Sequence, residues 1–339
     1  MTNRRSLYID FVKGVLIFLV IFGHVLQYIK YGDQINFWYS YLFKFIYMFH
    51  MPLFIGISGY FAYFSLEKNT PGNYLKSRVR VLLIPLIVWS ILLAVIGILI
   101  YNKFDIGFMS RYSIGQLRAF WFIWAIIVYS IIVSLLKILR LNNIFIITLL
   151  AIIFSFVSCL STGIFAVIKG LFPFFIVGFA LAQSSIDINK IYSYIKKYLV
   201  LLLFPAVICF ILWDMKDYIY ITPSEYHYWD ITIFRFLASL IFSVFFMVIS
   251  YIIYQYIEKK KITYFLIKLG KETLAIYIVQ TFFFSIYSEF FLQPTVLPGI
   301  SILYIIPAAI LTMLIYYFIR LLSKNEYLSL YLFGKRKNL

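Results

Sequence analysis

Three ionisable side chains share one face of the first apolar run of this chain. His24 lies about two-thirds of the way along residues 8–30, and Lys13 comes eleven positions earlier. Eleven helical steps of about 100° come within roughly 20° of three full turns, so the two side chains align about 16 Å apart along the axis. Asp10, three residues before Lys13, lies on the same stripe. Because ionisable groups are costly in hydrocarbon, the stripe indicates a functional site.

An imidazole within a membrane span could carry out acid–base chemistry. Since the pKa of histidine lies near neutrality, His24 could take the proton of a hydroxyl group or briefly carry an acyl group. Asp10 belongs to the same candidate catalytic set, and Lys13 is a candidate for holding an anionic co-substrate. The alternative interpretation places Asp10 and Lys13 in the lipid headgroup zone and has His24 bond a neighbouring helix.

A second candidate catalytic histidine, His50, occurs shortly before Pro52. Proline fits the first turn of a helix, where its missing N–H is not needed, so we predict a helix over 47–66. His50 would then lie near the N-terminus of that helix, at a depth similar to that of His24, as a catalytic partner or as a turn histidine. It is followed by the small residues Gly56, Ser58 and Gly59. They predict close packing of another helix or the approach of a ligand. Ser58 is a candidate contact for the co-substrate.

Two groups of charged and aromatic residues mark the two ends of the predicted bundle. Arg78 and Arg80 precede the third apolar run, where guanidinium groups could hold the phosphates of a nucleotide-like donor or anchor the helix at the inner face. Arg118 and Trp121 occur at the start of the fourth run. They are typical interface anchors and also candidate contacts for an acceptor.

Further polar positions occur late in the chain. Tyr277 and Gln280 lie inside a predicted span over 272–292. Tyr277 is a candidate contact for the co-substrate that donates a group, and Gln280 is a candidate contact for the substrate that accepts it. His227 lies among aromatic residues and carboxylates in the loop 214–230. Such a loop could bind a sugar, or it could be a solvated cap over the helices.

The composition is that of a membrane protein. Of the 339 residues, 64% are hydrophobic and 13% are charged, whereas soluble domains are roughly 45–50% apolar. A spanning helix needs about 20 apolar residues, and we predict a single all-α domain over 1–339 with about ten spans. The expected spans are 8–30, 47–66, 82–101, 116–138, 143–159, 164–183, 197–213, 231–257, 272–292 and 300–322. The segment 37–46 is too short to span and is expected at the interface.

The net charge of +17 does not indicate a nucleic-acid partner. Basic residues cluster in short loops on alternate sides of the predicted bundle, as the positive-inside rule requires, and an even number of spans then puts both termini in the cytoplasm.

Because the first apolar run is long and follows Arg4 and Arg5, we expect a retained membrane anchor in the cell membrane. Cys159 and Cys209 lie in apolar runs and are expected to be packing residues. The sequence shows no metal-ligand spacing and no Walker or dinucleotide motif.

Together these motifs resemble the acyltransferase-3 family of integral membrane acyltransferases, in particular the branch that O-acetylates sugars of bacterial surface polysaccharides and lipo-oligosaccharides. The shared landmarks follow the family's order over nearly the whole chain. They are Lys13 with His24, His50 to Phe54 with Ser58 to Tyr60, Arg78 and Arg80 leading to Pro85 and Trp89, Trp121-Phe122, and Gly270 to Tyr277. Two positions depart from the pattern: Ser77 stands where many relatives have arginine, and Gln280 where many have histidine.

The resemblance implies an acyl donor, usually acetyl-CoA, on the cytoplasmic side and a sugar hydroxyl as the acceptor on the outer side, without a metal. In that arrangement Lys13, Arg78 and Arg80 hold the donor, and its arm reaches up between the helices. His24 is then the base, helped by His50 or Ser58. A transporter or flippase for a lipid-linked sugar would also place ionisable residues in mid-membrane. The chain lacks the paired halves of many transporters, and the enzyme is therefore the expected function.

Overall fold

Among the residues that the computed structural model describes, eight helices are long and apolar enough to cross a membrane and no strand occurs, as expected for an all-α polytopic protein. The described residues are 7–101, 107, 119–141, 143–155, 163–184, 186, 194, 197–214, 229–293 and 295–335. In chain order the helices are α1 (Leu7–His24), α2 (Tyr41–Glu67), α3 (Pro71–Arg78), α4 (Ile84–Tyr101), α5 (Trp121–Ile138), α6 (Ile144–Ser155), α7 (Gly163–Gln183), α8 (Leu199–Leu212), α9 (Trp229–Ile257), α10 (Lys261–Lys271), α11 (Thr273–Phe290), α12 (Ile305–Leu322) and α13 (Glu326–Phe333). Short 3₁₀ segments occur at Ile35–Tyr39 and Ser301–Tyr304.

Two of the ten predicted spans are short helices. The runs 143–159 and 197–213 contain α6 and α8, of 12 and 14 residues, which at about 1.5 Å per residue cover roughly 18 and 21 Å. The hydrocarbon core of a bilayer is about 30 Å thick. Within the described residues, the structure therefore has eight full-length spans and two shorter apolar helices.

The second span begins earlier than the sequence predicts. α2 starts at Tyr41, so Pro52 lies inside the helix instead of in its first turn. Of the segment 37–46, residues 41–46 belong to α2, and 37–39 belong to the 3₁₀ segment before it. His50 accordingly lies in the body of α2, and its predicted place near the helix N-terminus is wrong. A proline inside a membrane helix is tolerated where neighbouring helices support the helix. Close contact with α7 gives α2 that support.

Glycines bring the backbones of α2 and α7 into contact. A Cβ atom on Gly59 would collide with the carbonyl oxygen of Phe175, and one on Gly178 would collide with that of Gly56. This pair of helices makes the most extensive contact in the structure. Gly56 and Gly59 therefore serve helix packing, which was one of the two interpretations of that run.

The N-terminal half of α1 packs in the same way on the short helix α10. A Cβ atom on Gly14 would collide with the backbone of Leu266, and one on Gly270 would collide with the carbonyl oxygen of Asp10. α1 makes its most extensive helix contact here. The contact fixes the position of the stripe that carries Asp10 and Lys13.

Two helices change their winding beside candidate site residues. α1 continues beyond His24 as a π-helical segment, Val25–Lys30, and α3 passes into α4 through another, Val79–Leu83, directly after Arg78. π-Helical turns are rare and occur frequently at functional sites. Their positions mark the regions around His24 and Arg78 as two ends of one candidate site.

The last helix returns to the third span. Nε1 of Trp89 donates to the carbonyl oxygen of Leu332 at 2.9 Å, which attaches α13 to α4. Gly334 ends α13 with a φ of 65°, a left-handed conformation that suits glycine. A Cβ atom at this position would also press into the backbone of Val81. The C-terminal segment is therefore packed against the π-helical turn that follows Arg78.

Candidate active site

His24 is held from α11 by the side chain of Gln280. Nδ1 of His24 lies 2.7 Å from Oε1 of Gln280, and Gln280 is fully buried. The imidazole packs against Tyr28 and Phe284, whose ring centroids lie 5.9 and 5.4 Å away, and these two rings stack on each other at 5.5 Å. His24 is half-buried, and its ring packs against these protein groups.

His50 lies close to His24, in the facing part of α2. Its Nδ1 lies 2.8 Å from the carbonyl oxygen of Ile46, and its ring meets Tyr47 edge-on at 4.6 Å. Tyr47 also covers Gly23, since a Cβ atom added there would lie 2.8 Å from Cε2 of the tyrosine. α1 and α2 thus meet beside the residue that precedes His24, with the buried His50 on the same contact.

Toward the N-terminal end of α1, a cavity of about 220 Å³ opens between α1, α2, α3, α5 and α11. Four candidate residues line it: Lys13, Ser58, Arg78 and Tyr277. Aliphatic and aromatic side chains form most of the remaining wall. Two cations at an otherwise largely apolar cavity suit a ligand that has an anionic head and a less polar arm.

Lys13 and Arg78 form the cationic end of this cavity. Nζ of Lys13 lies 3.2 Å from Oδ1 of Asp10, and the guanidinium of Arg78 lies 4.9 Å from the ring centroid of Tyr74. Asp10 is fully buried. It precedes His24 by fourteen residues, or about 21 Å of helix, so it orients Lys13 and does not reach the imidazole.

The opposite end of the cavity approaches His24 and Gln280. Val20 and Tyr277 line this end. They precede His24 and Gln280 by four and three residues, and side chains at these separations share a helix face. His24 itself does not line the cavity; Val20, the wall residue of α1 that is nearest to it in the sequence, lies about 6 Å before it along the helix axis.

Six candidate residues of the described chain do not line the cavity: His24, His50, Asp10, Gln280, Arg80 and Trp121. Arg80 and Trp121 are not part of the wall, whereas their neighbours Val81 and Phe122 are. Phe122 also meets Tyr277 with ring centroids 5.2 Å apart. The structure thus brings Arg78 to the cavity and leaves Arg80 at its outside.

Ser58 reaches the cavity with its hydroxyl already engaged. It donates to the carbonyl oxygen of Phe54 at 2.9 Å, so it can accept a hydrogen bond from a ligand but cannot donate one in this arrangement. Among the candidates, Arg118, His227 and Cys159 lie outside the described residues. Within the described part of the chain, no three histidine, cysteine or carboxylate side chains form a group that could hold a metal ion.

The sequence did not reveal two polar contacts at the cavity. The hydroxyl of Tyr74 donates to Oγ of Ser130 at 3.1 Å, and both buried residues line the wall. Lys335 forms an ion pair with Glu272, which directly precedes the wall residue Thr273. Tyr74 lies four residues before Arg78, so the sequence could have placed both on one helix face. No local pattern predicts their partners on distant helices.

Comparison with known proteins identifies two relatives and one family. A family model described as an acyltransferase domain matches residues 6–321. The chain is 32% identical over 286 residues to nodulation protein NolL of Mesorhizobium japonicum, a match that covers 82% of this chain and 76% of that protein. It is 32% identical over 224 residues to nodulation protein NolL of Sinorhizobium fredii, covering 64% of this chain and 60% of that protein. No solved structure matches the chain significantly.

Proposed function

We propose, from the premise that this chain belongs to the acyltransferase-3 family and is a membrane acyltransferase, that it acylates a sugar hydroxyl at the outer face of the cell membrane. The donor is a cytoplasmic acyl-CoA, with acetyl as the preferred acyl group. The observation that supports this proposal is the cavity whose wall includes the cations Lys13 and Arg78 and also Val20, which lies four residues before His24 on α1. An anionic donor bound there would lie along the face of α1 that also carries the imidazole.

The donor's charges match one end of this cavity and its arm matches the rest. Lys13 and Arg78 would hold phosphate groups, for which guanidinium and ammonium groups are the usual protein partners. The arm of an acyl-CoA combines alkyl segments with amide groups. The apolar wall and the hydroxyl groups of Tyr74 and Ser130 provide contacts for both, so the thioester would reach the vicinity of Val20 and Tyr277.

His24 would act as the general base of the transfer. It takes the proton of the acceptor hydroxyl while the oxygen attacks the thioester carbonyl carbon, so that a C–O bond forms and the C–S bond breaks. The leaving thiolate then takes the proton from the imidazolium, which restores neutral His24. His50 lies beside this reaction centre as a second imidazole, and a direct transfer of this kind needs no acyl group on a side chain.

The orientation of the chain in the membrane supports this division into two sides. Within the described residues there are eight full-length spans, or ten with the two shorter helices, which is an even number in both cases. If these are all the crossings, residues 7 and 335 would lie on the same side. The excess of basic residues in the loops on that side assigns it to the cytoplasm. Lys13 and Arg78 then face the cytoplasm, and His24 lies in the outer half.

Mass spectrometry of surface glycans tests the proposal. A strain that lacks the gene is complemented with the wild type or with His24→Ala, and we expect the glycan mass to differ by one acyl group, present only with the wild type. Glycan export is measured in parallel and should be equal in both strains. Wild-type acylation by His24→Ala would refute the assignment of the base, and a loss of export with intact acylation would favour a transporter.

A further inference from the structure

Both polar atoms of the Gln280 amide form hydrogen bonds within the protein. Oε1 lies 2.7 Å from Nδ1 of His24, and Nε2 donates to Oγ1 of Thr281 at 3.0 Å. Gln280 and Thr281 are buried. In the structure the carbonyl oxygen of the amide faces the imidazole and its nitrogen faces Thr281. These contacts within the protein differ from the contact with the sugar acceptor that the sequence predicts.

This orientation determines which nitrogen of His24 carries the proton. A carbonyl oxygen only accepts hydrogen bonds, so Nδ1 must be the donor, and in the neutral imidazole Nε2 then keeps the free electron pair. Within the described part of the chain, Nε2 of His24 has no hydrogen-bond partner. Tyr28 and Phe284 pack against the ring and restrain its rotation.

We propose that Gln280 is a positioning residue that fixes His24 in the Nδ1-protonated tautomer, so that Nε2 is the atom that takes the proton of the reacting hydroxyl. The inference rests on the proposed function, in which His24 is the base. A wrong tautomer would present an N–H to the hydroxyl, where an electron pair is needed, and the transfer could not begin.

The neutral amide also affects the second half of the reaction. A buried carboxylate in the same place would pair with the imidazolium and resist its deprotonation. An amide orients the ring without adding a charge in the apolar interior. The imidazolium can therefore pass its proton from Nε2 to the leaving thiolate.

Nitrogen NMR of the protein labelled with ¹⁵N-histidine measures the tautomer directly. The chain contains three histidines, and the His24 signals are identified by their loss in His24→Ala. We expect the wild type in lipid bilayers to show a protonated Nδ1 and an unprotonated Nε2 for His24. The opposite tautomer in the wild type would overturn the inference without recourse to any variant of Gln280.

Kinetics of Gln280 variants test the consequence for the reaction. Gln280→Leu removes the acceptor oxygen, and we expect kcat to fall roughly 100-fold or more, with the donor KM changed less than about twofold and a mixed tautomer in the NMR spectrum. Gln280→Glu keeps an oxygen at the same reach and should retain the Nδ1-protonated state, whereas its charge should lower kcat by opposing the loss of the imidazolium proton. Loss of the Nδ1-protonated state in this variant would overturn the inference.

The outcomes separate this inference from the proposed function. A folded Gln280→Leu with wild-type kcat, in a protein that still requires His24, overturns the positioning role alone. Full activity of His24→Ala overturns the proposed function and leaves the NMR measurement of the tautomer valid. Thermal unfolding in detergent shows whether Gln280→Leu is folded, and Gln280→Glu together with the wild-type spectrum decides the question if it is not.

Discussion

The two ends of the site are built from different kinds of contact. Around His24 and His50 the contacts are short hydrogen bonds to Gln280 and to a backbone carbonyl, among buried aromatic rings. Around Lys13 and Arg78 they are an ion pair and a cation above a tyrosine ring, with both cations partly exposed. One end is neutral and rigidly oriented, whereas the other is charged and accessible.

The neutral end of the site orients a reacting group, whereas the charged end attracts a ligand. A hydrogen-bonded imidazole contributes only if its nitrogen points at the reacting atom, so changes at that end should lower kcat. A cation attracts an anionic ligand over a longer range and tolerates imprecise placement, so changes at that end should raise KM. Variants at the two ends should therefore affect different kinetic constants.

The largest effect is expected at the neutral end, from His50→Phe. The substitution keeps a ring against Tyr47 and removes both nitrogens, and we expect kcat to fall by roughly 100-fold with little change in the donor KM. Initial rates at varied acyl-CoA concentration measure both constants. An unchanged kcat with a raised KM would assign His50 to donor binding and contradict the comparison.

At the charged end, Arg78→Gln should raise the donor KM by roughly 10-fold, because a hydrogen bond to a charged group is worth about 1.5–3 kcal/mol. The expected change in kcat is less than about threefold. Lys13→Gln should behave in the same way. Lys324→Gln is the matched control, since Lys324 is an exposed basic residue that does not line the cavity. A similar rise in KM for the control would show a general charge effect.

The glycine contact between α2 and α7 offers a test through packing. Gly178→Ala forces a Cβ atom onto the backbone of Gly56, and overpacking of this kind costs about 1–3 kcal/mol of stability. Because the shift reaches α2 and therefore His50, we expect a further loss in kcat. Thermal unfolding in detergent and initial rates measure both effects. Gly72→Ala is the control, since nothing lies within 4 Å of a Cβ there, and equal destabilisation by both variants would contradict the packing argument.

The smallest effect concerns the ion pair of Lys335. Burial lowers the pKa of Lys335 to about 8 from the usual 10.5, in spite of the nearby Glu272. The folded protein then binds fewer protons than the unfolded chain between these two values, so stability should rise slightly with pH across that window. The neutral amine is the form that reacts with acylating reagents. We expect labelling of Lys335, followed by mass spectrometry, to have a midpoint near pH 8.

Glu272→Gln is the control for the labelling experiment. A carboxylate favours the protonated amine, so its removal should move the midpoint of Lys335 labelling to lower pH. A midpoint near the ordinary lysine value in the wild type would mean that water reaches the amine freely. The C-terminal segment would then be less closely packed than its contacts with Val81 and Trp89 indicate.

Helical periodicity made the first span predictable. The alignment of Lys13 and His24 follows from the number of residues between them, and the cavity lies along that face. Composition likewise determined the all-α membrane architecture, because runs of about 20 apolar residues have few other stable forms. The predicted start of α2 was wrong because a proline at position 52 fits the first turn of a helix and also fits a helix interior that neighbouring helices support.

Partners distant in the sequence were beyond prediction. Gln280 is 256 residues from His24, and no local pattern in α11 specifies which helix its amide will face. The same is true of Ser130 for Tyr74. Such contacts depend on the rotation of each helix about its axis, which is set by packing against several neighbours at once. Single-sequence periodicity gives the buried face of a helix but not the helix that covers it.

The path of the C-terminal segment has a practical consequence for producing the protein. Gly334 lies on Val81, and Lys335 reaches Glu272, so the chain leaves the bundle beside the wall of the cavity that holds Lys13 and Arg78. A bulky fluorescent protein fused directly after Lys335 would lie next to the cavity that the proposed donor would enter. Purification handles are better placed in a loop on the opposite face of the membrane.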